Sequence, residues 1–377
     1  MGVRMKSNAP TGRRKLAKKE GDEGDGGGIT SEENTMLVEL HVHLDGSAKS
    51  STVWDLGQKK GINLPGKNFE EFKDYVTSLE ASNLPKILST FGVFMPTLAG
   101  DGEAIKRIAY ELCEYEAKQG VAYFEARYSP HLLANCDVSL EWGQKAGQLR
   151  PRDVVEYVNK GLQEGCRDFG IKGNTILCCI RHKPEWSAEV LTLCREFQDN
   201  PNVGIDIAAY ECVPSDPLHI QIYQEAARCG VHRTAHAGES TSSESVLEAI
   251  DKMSVDRIGH GYKVLEDDQL YERVKSLNTH FEVSLTSSYY TGVCQDYVNH
   301  PVKRFAMDDV NFSLSTDDPG IFLNTLDDEF SIAYNKLGLN EMQMTKLTFN
   351  AAKSSFLPPG EKQDLLDNLR RVYKIPI

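Results

Sequence analysis

Leu37-Val38-Glu39-Leu40-His41-Val42-His43-Leu44-Asp45-Gly46 is an apolar run that ends in two histidines one residue apart. Side chains of a strand alternate between faces, so His41 and His43 point to one side and can grip a single metal ion. A run rich in Val and Leu that stops at Gly46 reads as a buried strand opening into a loop. Alone, the pair fits two hydrogen-bonded core histidines as well as it fits a metal site. The decision therefore rests on what other strand ends carry.

The rest of the chain alternates β-rich runs with amphipathic segments. Strands are expected at 37–43, 121–128, 175–181, 203–208, 232–236, 257–260, 280–285 and 310–315. Helical patterns lie between them, among them 102–118, 152–168, 186–197, 220–229, 243–252 and 267–276. Strands that are apolar almost throughout, alternating with helices, predict a parallel sheet covered by helices on its faces. Eight such units fit an α/β fold of the (β/α)8 TIM-barrel type, with a parallel eight-stranded barrel, additional helices and a helical insertion around 68–100. An open doubly wound sheet is the main alternative. No GxGxxG follows the first strand, which weakens a dinucleotide-binding reading.

Composition narrows the function classes. With 377 residues, 40% hydrophobic and 26% charged, the chain can bury a large core. A net charge of −13 disfavours a protein whose main task is gripping phosphate backbones, so no nucleic-acid partner is expected and a small molecule is. No apolar stretch is long enough for a membrane span, and the first residues lack the apolar core of a signal peptide; a cytoplasmic protein is the expectation. Nine cysteines without a Cys-x-x-Cys pair predict reduced, mostly buried thiols rather than a disulfide framework or thiolate zinc cluster.

Residues 1–35 are different. The basic cluster Arg13-Arg14-Lys15-Leu16-Ala17-Lys18-Lys19 precedes an acidic, glycine-rich stretch with almost nothing apolar to bury, which predicts a disordered tail ahead of a single domain over 36–377. The basic cluster reads as a nuclear address, a nucleic-acid patch or simply a solvated charge run.

Metal-capable groups recur at the ends of the expected strands. His41 and His43 end the first, His236-Ala237-Gly238-Glu239 ends the fifth, Gly259-His260-Gly261 the sixth, and Ser315-Thr316-Asp317-Asp318-Pro319 the eighth. Each has a structural explanation taken singly, in turn chemistry or a satisfied strand-end histidine. In a closed barrel all would meet at one mouth, where this fold places its catalytic groups. Three imidazoles and a carboxylate suit zinc, and Glu239 is available to carry a proton.

These phrases, together with Arg127-Tyr128-Ser129-Pro130-His131-Leu132-Leu133-Ala134-Asn135 and Asn350-Ala351-Ala352-Lys353-Ser354-Ser355-Phe356-Leu357-Pro358, resemble the adenosine deaminase family from about Leu37 to Leu369. The other zinc deaminase signature, His-x-Glu with Pro-Cys-x-x-Cys, is absent. The resemblance implies a zinc amidohydrolase of purine salvage that converts adenosine and 2′-deoxyadenosine to inosine and deoxyinosine plus ammonia, with one Zn2+ per chain. By position it implies His41, His43, His236 and Asp317 as zinc ligands, Glu239 as proton donor to purine N1, and His260 as the group orienting the attacking hydroxide. Asp318 would hold N7, the Ala209 N–H would meet N3, and Asp45 would take the ribose 5′-hydroxyl. Leu84, Ile87 and Leu88, at helical spacing, are either an apolar gate over the nucleoside or plain helix packing.

Two departures from the family pattern stand out. Ala209-Tyr210 replaces the usual Gly-Asp, which keeps the backbone donor but adds a methyl group where φ > 0 would be costly. Ser284-Leu285-Thr286-Ser287-Ser288 replaces the usual Cys-Pro start of its loop. Two alternative functions stay open at this point: a related barrel deaminase acting on adenine or a modified nucleoside, and a non-catalytic adenosine-binding adaptor.

Overall fold

In the computed structural model, which describes residues 36–77, 83–198 and 204–375, strands and helices alternate along the chain. The tail reading for 1–35 and the expected strand start at Val203 lie outside the described residues. β1 (Leu37–His43), β2 (Val121–Tyr128), β3 (Lys172–Ile180), β4 (Gly204–Ala208) and β5 (His232–Arg233) pair in that order, all parallel. β6 (His236–Ala237), β7 (Arg257–His260), β8 (His280–Val283) and β9 (Phe312–Leu314) form a second parallel run.

Two sets of hydrogen bonds join these runs into a ring. At the break between β5 and β6, the Thr234 N–H still donates to the Ile205 carbonyl at 2.9 Å and the Gly259 N–H to the Ala235 carbonyl at 2.8 Å. β5 and β6 are thus the two halves of one bent stave, the expected fifth strand. At the other seam the His43 N–H donates to the Asp317 carbonyl at 2.8 Å and the Asp317 N–H to the His41 carbonyl at 3.1 Å, with Val42 and Asp317 bridged in parallel. The result is the eight-stave (β/α)8 barrel read from the sequence.

Strand limits shift where local chemistry overrides pattern. β3 begins at Lys172 rather than Thr175, because Lys172 and Gly173 already pair with Tyr123 and Phe124. β8 stops at Val283 instead of Leu285: the Glu329 carboxylate accepts the Leu285 N–H at 2.6 Å and the helix Leu285–Tyr290 starts there.

Helices cover the outside. α1 (Ser50–Lys60), α2 (Phe69–Thr77) and α3 (Leu84–Leu98) lie between β1 and α4 (Gly102–Lys118), and α2 and α3 fall in the expected insertion. Asn83 caps the N-terminus of α3, its side chain accepting the Lys86 N–H at 3.0 Å. After β2 come the short α5 (Pro130–Leu133) and the long α6 (Pro151–Phe169), which packs along α4.

The lumen is not apolar throughout. Arg127 on β2 contacts Asp206 on β4 at 3.0 Å and Glu282 on β8 at 2.6 Å, and these strands are not neighbours in the ring, so the ion pairs cross the barrel. All three side chains are fully buried. No helix of the described residues is long and apolar enough to cross a membrane.

Candidate active site

The C-terminal ends of β1 and β6 and the turn after β9 bring His41, His43, His236 and Asp317 together, with their ligand atoms all within 4.8 Å of one another. His43 Nε2 lies 3.2 Å from His236 Nε2, and Asp317 Oδ1 lies 3.3 Å from His41 Nε2 and 3.4 Å from His43 Nε2. Strand alternation puts His41 and His43 on one face, and the seam bonds at Asp317 bring the fourth donor to them. His41 Nε2 is fully buried and has no hydrogen-bond partner. An orphaned imidazole nitrogen facing a carboxylate and two more imidazoles is costly unless a cation takes those lone pairs, so the donor set fits a metal ion.

A second layer of charge aims the ligands. His41 Nδ1 donates to Glu282 Oε2 at 2.8 Å, and His236 Nδ1 is 2.9 Å from Asp206 Oδ2. The bond to Glu282 fixes the tautomer of His41 that leaves its Nε2 free to ligate, and Asp206 sets its charge beside His236 Nδ1. Arg127 bridges the two carboxylates, and Arg257 adds a 2.6 Å contact to Glu282. Glu39 Oε1 accepts the N–H and hydroxyl of Thr316 at 2.6 and 2.7 Å, which fixes the residue before Asp317. Sequence reading did not single out Asp206, Glu282 or Arg127. Their signal was there: one charge inside Gly-Ile-Asp-Ile-Ala, one inside His-Phe-Glu-Val and two inside Phe-Glu-Ala-Arg-Tyr, strands otherwise apolar enough to be buried on both faces.

Glu239 and His260 stand beside the cluster, Glu239 Oε2 lying 3.9 Å from His260 Nε2. Burial, followed by the negative charges of Asp317 and Glu211, pushes the Glu239 carboxyl well above the usual range, which favours its protonated form. Burial moves His260 the other way, well below its ordinary value, and keeps its imidazole neutral. Glu211, also missed, anchors the loop that carries Glu239. Its carboxylate accepts the Ser240 N–H at 2.6 Å and the Thr241 N–H at 3.1 Å, and it also takes the Gly238 N–H.

Asp318 is buried, and its carboxyl is pushed well above the usual range, first by burial and then by Asp317, Asp45 and Glu239. Its Oδ1 has no protein partner. Gly46 makes this packing feasible, since a Cβ there would lie 1.7 Å from Asp318 Oδ1. Asp45, one residue before, accepts the Gly46 N–H at 3.2 Å, and burial raises its carboxyl to about 6.

His43, Asp45, His236, Glu239, His260, Asp317 and Asp318 line one side of a cavity of about 290 Å3. Leu84, Ile87 and Leu88 of α3 line it from above, with Ile87 buried and the two leucines half-buried. Ala209 is in the wall with φ +67, so this chain adopts the left-handed conformation despite the methyl group that the sequence reading expected to disfavour it. His260 and Asp317 have the same sign of φ, at +67 and +68. Strained backbone thus gathers at three strand ends around one cavity. The helix that replaces the Cys-Pro start contributes Ser287.

Comparison with known proteins agrees with this geometry. Residues 37–372 match the family model for adenosine deaminase. The chain is 49% identical over 347 residues to adenosine deaminase of Bos taurus, covering 91% of this chain and 96% of that one. Among solved structures it resembles adenine deaminase from Arthrobacter aurescens, with a TM-score of 0.79, 25% identity and coverage of 90% and 99% of the two chains. It is also similar to the Arabidopsis N6-mAMP deaminase, with a TM-score of 0.77, 25% identity and coverage of 90% and 98%. Sequence identity over nearly the whole length, with four metal-capable donors and a buried glutamate at one barrel mouth, makes this chain a member of the adenosine deaminase family.

Proposed function

We propose that the protein hydrolyses adenosine and 2′-deoxyadenosine to inosine and deoxyinosine, releasing ammonia, with one zinc ion held by His41, His43, His236 and Asp317. The carrying observation is that a buried Glu239, its carboxyl pushed well above the usual range, opens on the same cavity as that four-donor cluster. Three imidazoles and one carboxylate are a nitrogen-rich set that favours zinc over magnesium or calcium, which prefer oxygen. When bound, the ion makes water acidic enough to supply a nucleophile near neutral pH.

The remaining work falls to side chains of this chain. Neutral His260 accepts a hydrogen bond from the attacking water and turns its oxygen toward C6. Glu239 gives its proton to purine N1, so the charge pushed into the ring by attack is neutralised in a site without bulk water to solvate it. N7 is an acceptor, so the residue that holds it must donate; burial and the neighbouring carboxylates raise the Asp318 carboxyl well above the usual range, which favours the protonated form that can do so. The Ala209 N–H is directed to N3. The C6–N bond then breaks and the amino group leaves as ammonia.

Asp45 supports adenosine over the other 6-aminopurines known for this fold. An ionised carboxylate accepts a free 5′-hydroxyl and repels a 5′-phosphate, and adenine would leave it without a partner. Leu84, Ile87 and Leu88 act as the apolar gate that excludes water once the nucleoside is bound. The reading carries with it a monomeric, cytoplasmic enzyme of purine salvage, built as one domain over 36–377.

Following the ultraviolet change with adenosine, adenine, AMP and N6-methyl-AMP tests the assignment. Adenosine alone should be turned over rapidly, the signal should vanish after chelation, and added Zn2+ should restore it. Faster turnover of adenine or N6-methyl-AMP would reassign the substrate, and no turnover by the zinc-loaded protein would favour an adaptor.

A further inference from the structure

Away from the barrel mouth, α4 and α6 run against each other with unusually little side-chain material between them. A Cβ on Gly161 would lie 2.3 Å from the Lys106 carbonyl oxygen, and one on Gly165 would lie 2.6 Å from Cys113 Cβ and 2.8 Å from its Sγ. The two glycines, one turn apart on α6, let the backbones approach at this point. The approach brings Cys113 of α4 and Cys166 of α6 into contact, with their sulfurs 3.8 Å apart.

The two thiols have different surroundings. Cys113 is fully buried, and its thiol also lies 3.7 Å from the Leu162 carbonyl. Cys166 is half-buried and lines a cavity of about 490 Å3 with Lys160, Lys172, Asn159 and Asn174. The contact with Cys113, then the Gly173 N–H and the Lys172 charge, hold the Cys166 thiol below its ordinary value against the effect of burial. A cavity with lysines in its wall is the kind of setting in which a thiolate reacts with small oxidants.

We propose that Cys113 and Cys166 form a peroxide-sensitive dithiol site, Cys166 being the attacked sulfur and Cys113 the resolving one, whose oxidation staples α4 to α6. In the first step the Cys166 thiolate, having released its proton to solvent, attacks the terminal oxygen of a hydroperoxide. An S–O bond forms, the O–O bond breaks, and the leaving oxygen takes up a proton as an alcohol, or as water when the oxidant is hydrogen peroxide. In the second step the Cys113 sulfur attacks the sulfenic sulfur, the S–S bond forms, and hydroxide leaves with the Cys113 proton as water. Two thiols and one hydroperoxide thereby give one disulfide, one alcohol and one water; the sulfurs lose two electrons and the O–O bond gains them. The sulfurs must close from 3.8 Å to the bond length of about 2.05 Å, a rotamer-scale movement across an interface already in contact.

The full-length protein is exposed, folded and zinc-loaded, to hydrogen peroxide at a molar ratio near one; free thiols are then alkylated and digested peptides are read by mass spectrometry. The expected result is a Cys113–Cys166 linked peptide that forms ahead of oxidation at the exposed Cys212 and disappears on treatment with a dithiol reductant. In C113S the resolving sulfur is gone, so Cys166 should accumulate as a sulfenic acid trapped by dimedone; in C166S, Cys113 should stay reduced. Circular dichroism of both variants reports whether they fold, and the linked peptide in the unmutated protein carries the test if either does not. Oxidation at Cys212 with Cys113 and Cys166 both left as free thiols would overturn the proposal, as would linkage of either to another cysteine.

Discussion

Asp45 is the residue where environment and specificity meet. Its carboxyl is raised to about 6 by burial, so it is charged above that pH and neutral below it. The charge that, on the proposed reading, repels a 5′-phosphate should therefore be present at pH 7.5 and largely lost by pH 5. D45N removes it at every pH and should narrow the kcat/KM preference for adenosine over AMP by about tenfold, the effect of a single charge interaction of about 1.4 kcal/mol. In the unmutated protein the preference should shrink as pH falls through 6, and in the variant that dependence should flatten. An unchanged ratio in D45N would remove Asp45 from phosphate discrimination. Ala209 shows the opposite relation of residue to sequence. Its identity spoke against a left-handed backbone, yet the chain holds φ +67 there, at a cost of about 1–2 kcal/mol relative to glycine. Intrinsic preference lost because the residues on both sides are fixed, Ala208 by its pairing with β3 and Glu211 by the Ser240 and Thr241 amides.

The strands were legible as elements because parallel staves buried on both faces read as continuous apolar runs. The bend inside the fifth stave was not, since Thr234 and Ala235 look like any strand residues; what breaks the pairing is the path each stave takes around a closed ring. The metal donors were legible for a related reason, being polar residues at strand ends where nothing in strand packing needs them. Asp206 and Glu282 were missed because they sit mid-strand, and a sequence does not say which face of a barrel stave looks into the lumen. Their contribution can be measured. E282Q in β8 leaves shape and hydrogen-bonding capacity near His41 Nδ1 but removes the charge that orients the imidazole and pairs with Arg127 and Arg257. Metal affinity, followed by competition with a chromogenic chelator, should fall about 10- to 100-fold, in keeping with other carboxylates behind ligating histidines. An affinity equal to that of the unmutated protein would show that ring geometry alone sets the ligands.

At the scale of the molecule, β1, β6 and the turn after β9 are far apart in sequence, and the ligand group exists only when the ring closes. Metal binding and closure of the β1–β9 seam are therefore thermodynamically linked: an ion bound only by the folded chain stabilises it by RT ln(1 + [L]/Kd), about 4 kcal/mol at a free concentration of 1,000 Kd. Removing the metal should lower the melting temperature and restoring it should raise it again, a shift seen without any substrate present. This readout separates holding the ion from using it. E239Q lacks a proton to give but touches none of the four donors' seam bonds, so it should keep the metal-dependent rise in melting temperature while losing adenosine turnover. E282Q should do the reverse in degree, with a smaller rise at limiting metal and turnover recovered when metal is in excess. Full turnover in metal-replete E239Q would sink the proton-donor role. Loss of the metal-dependent rise in E239Q would mean instead that Glu239 belongs to the ligand set, and that the acid must be sought elsewhere in the cavity.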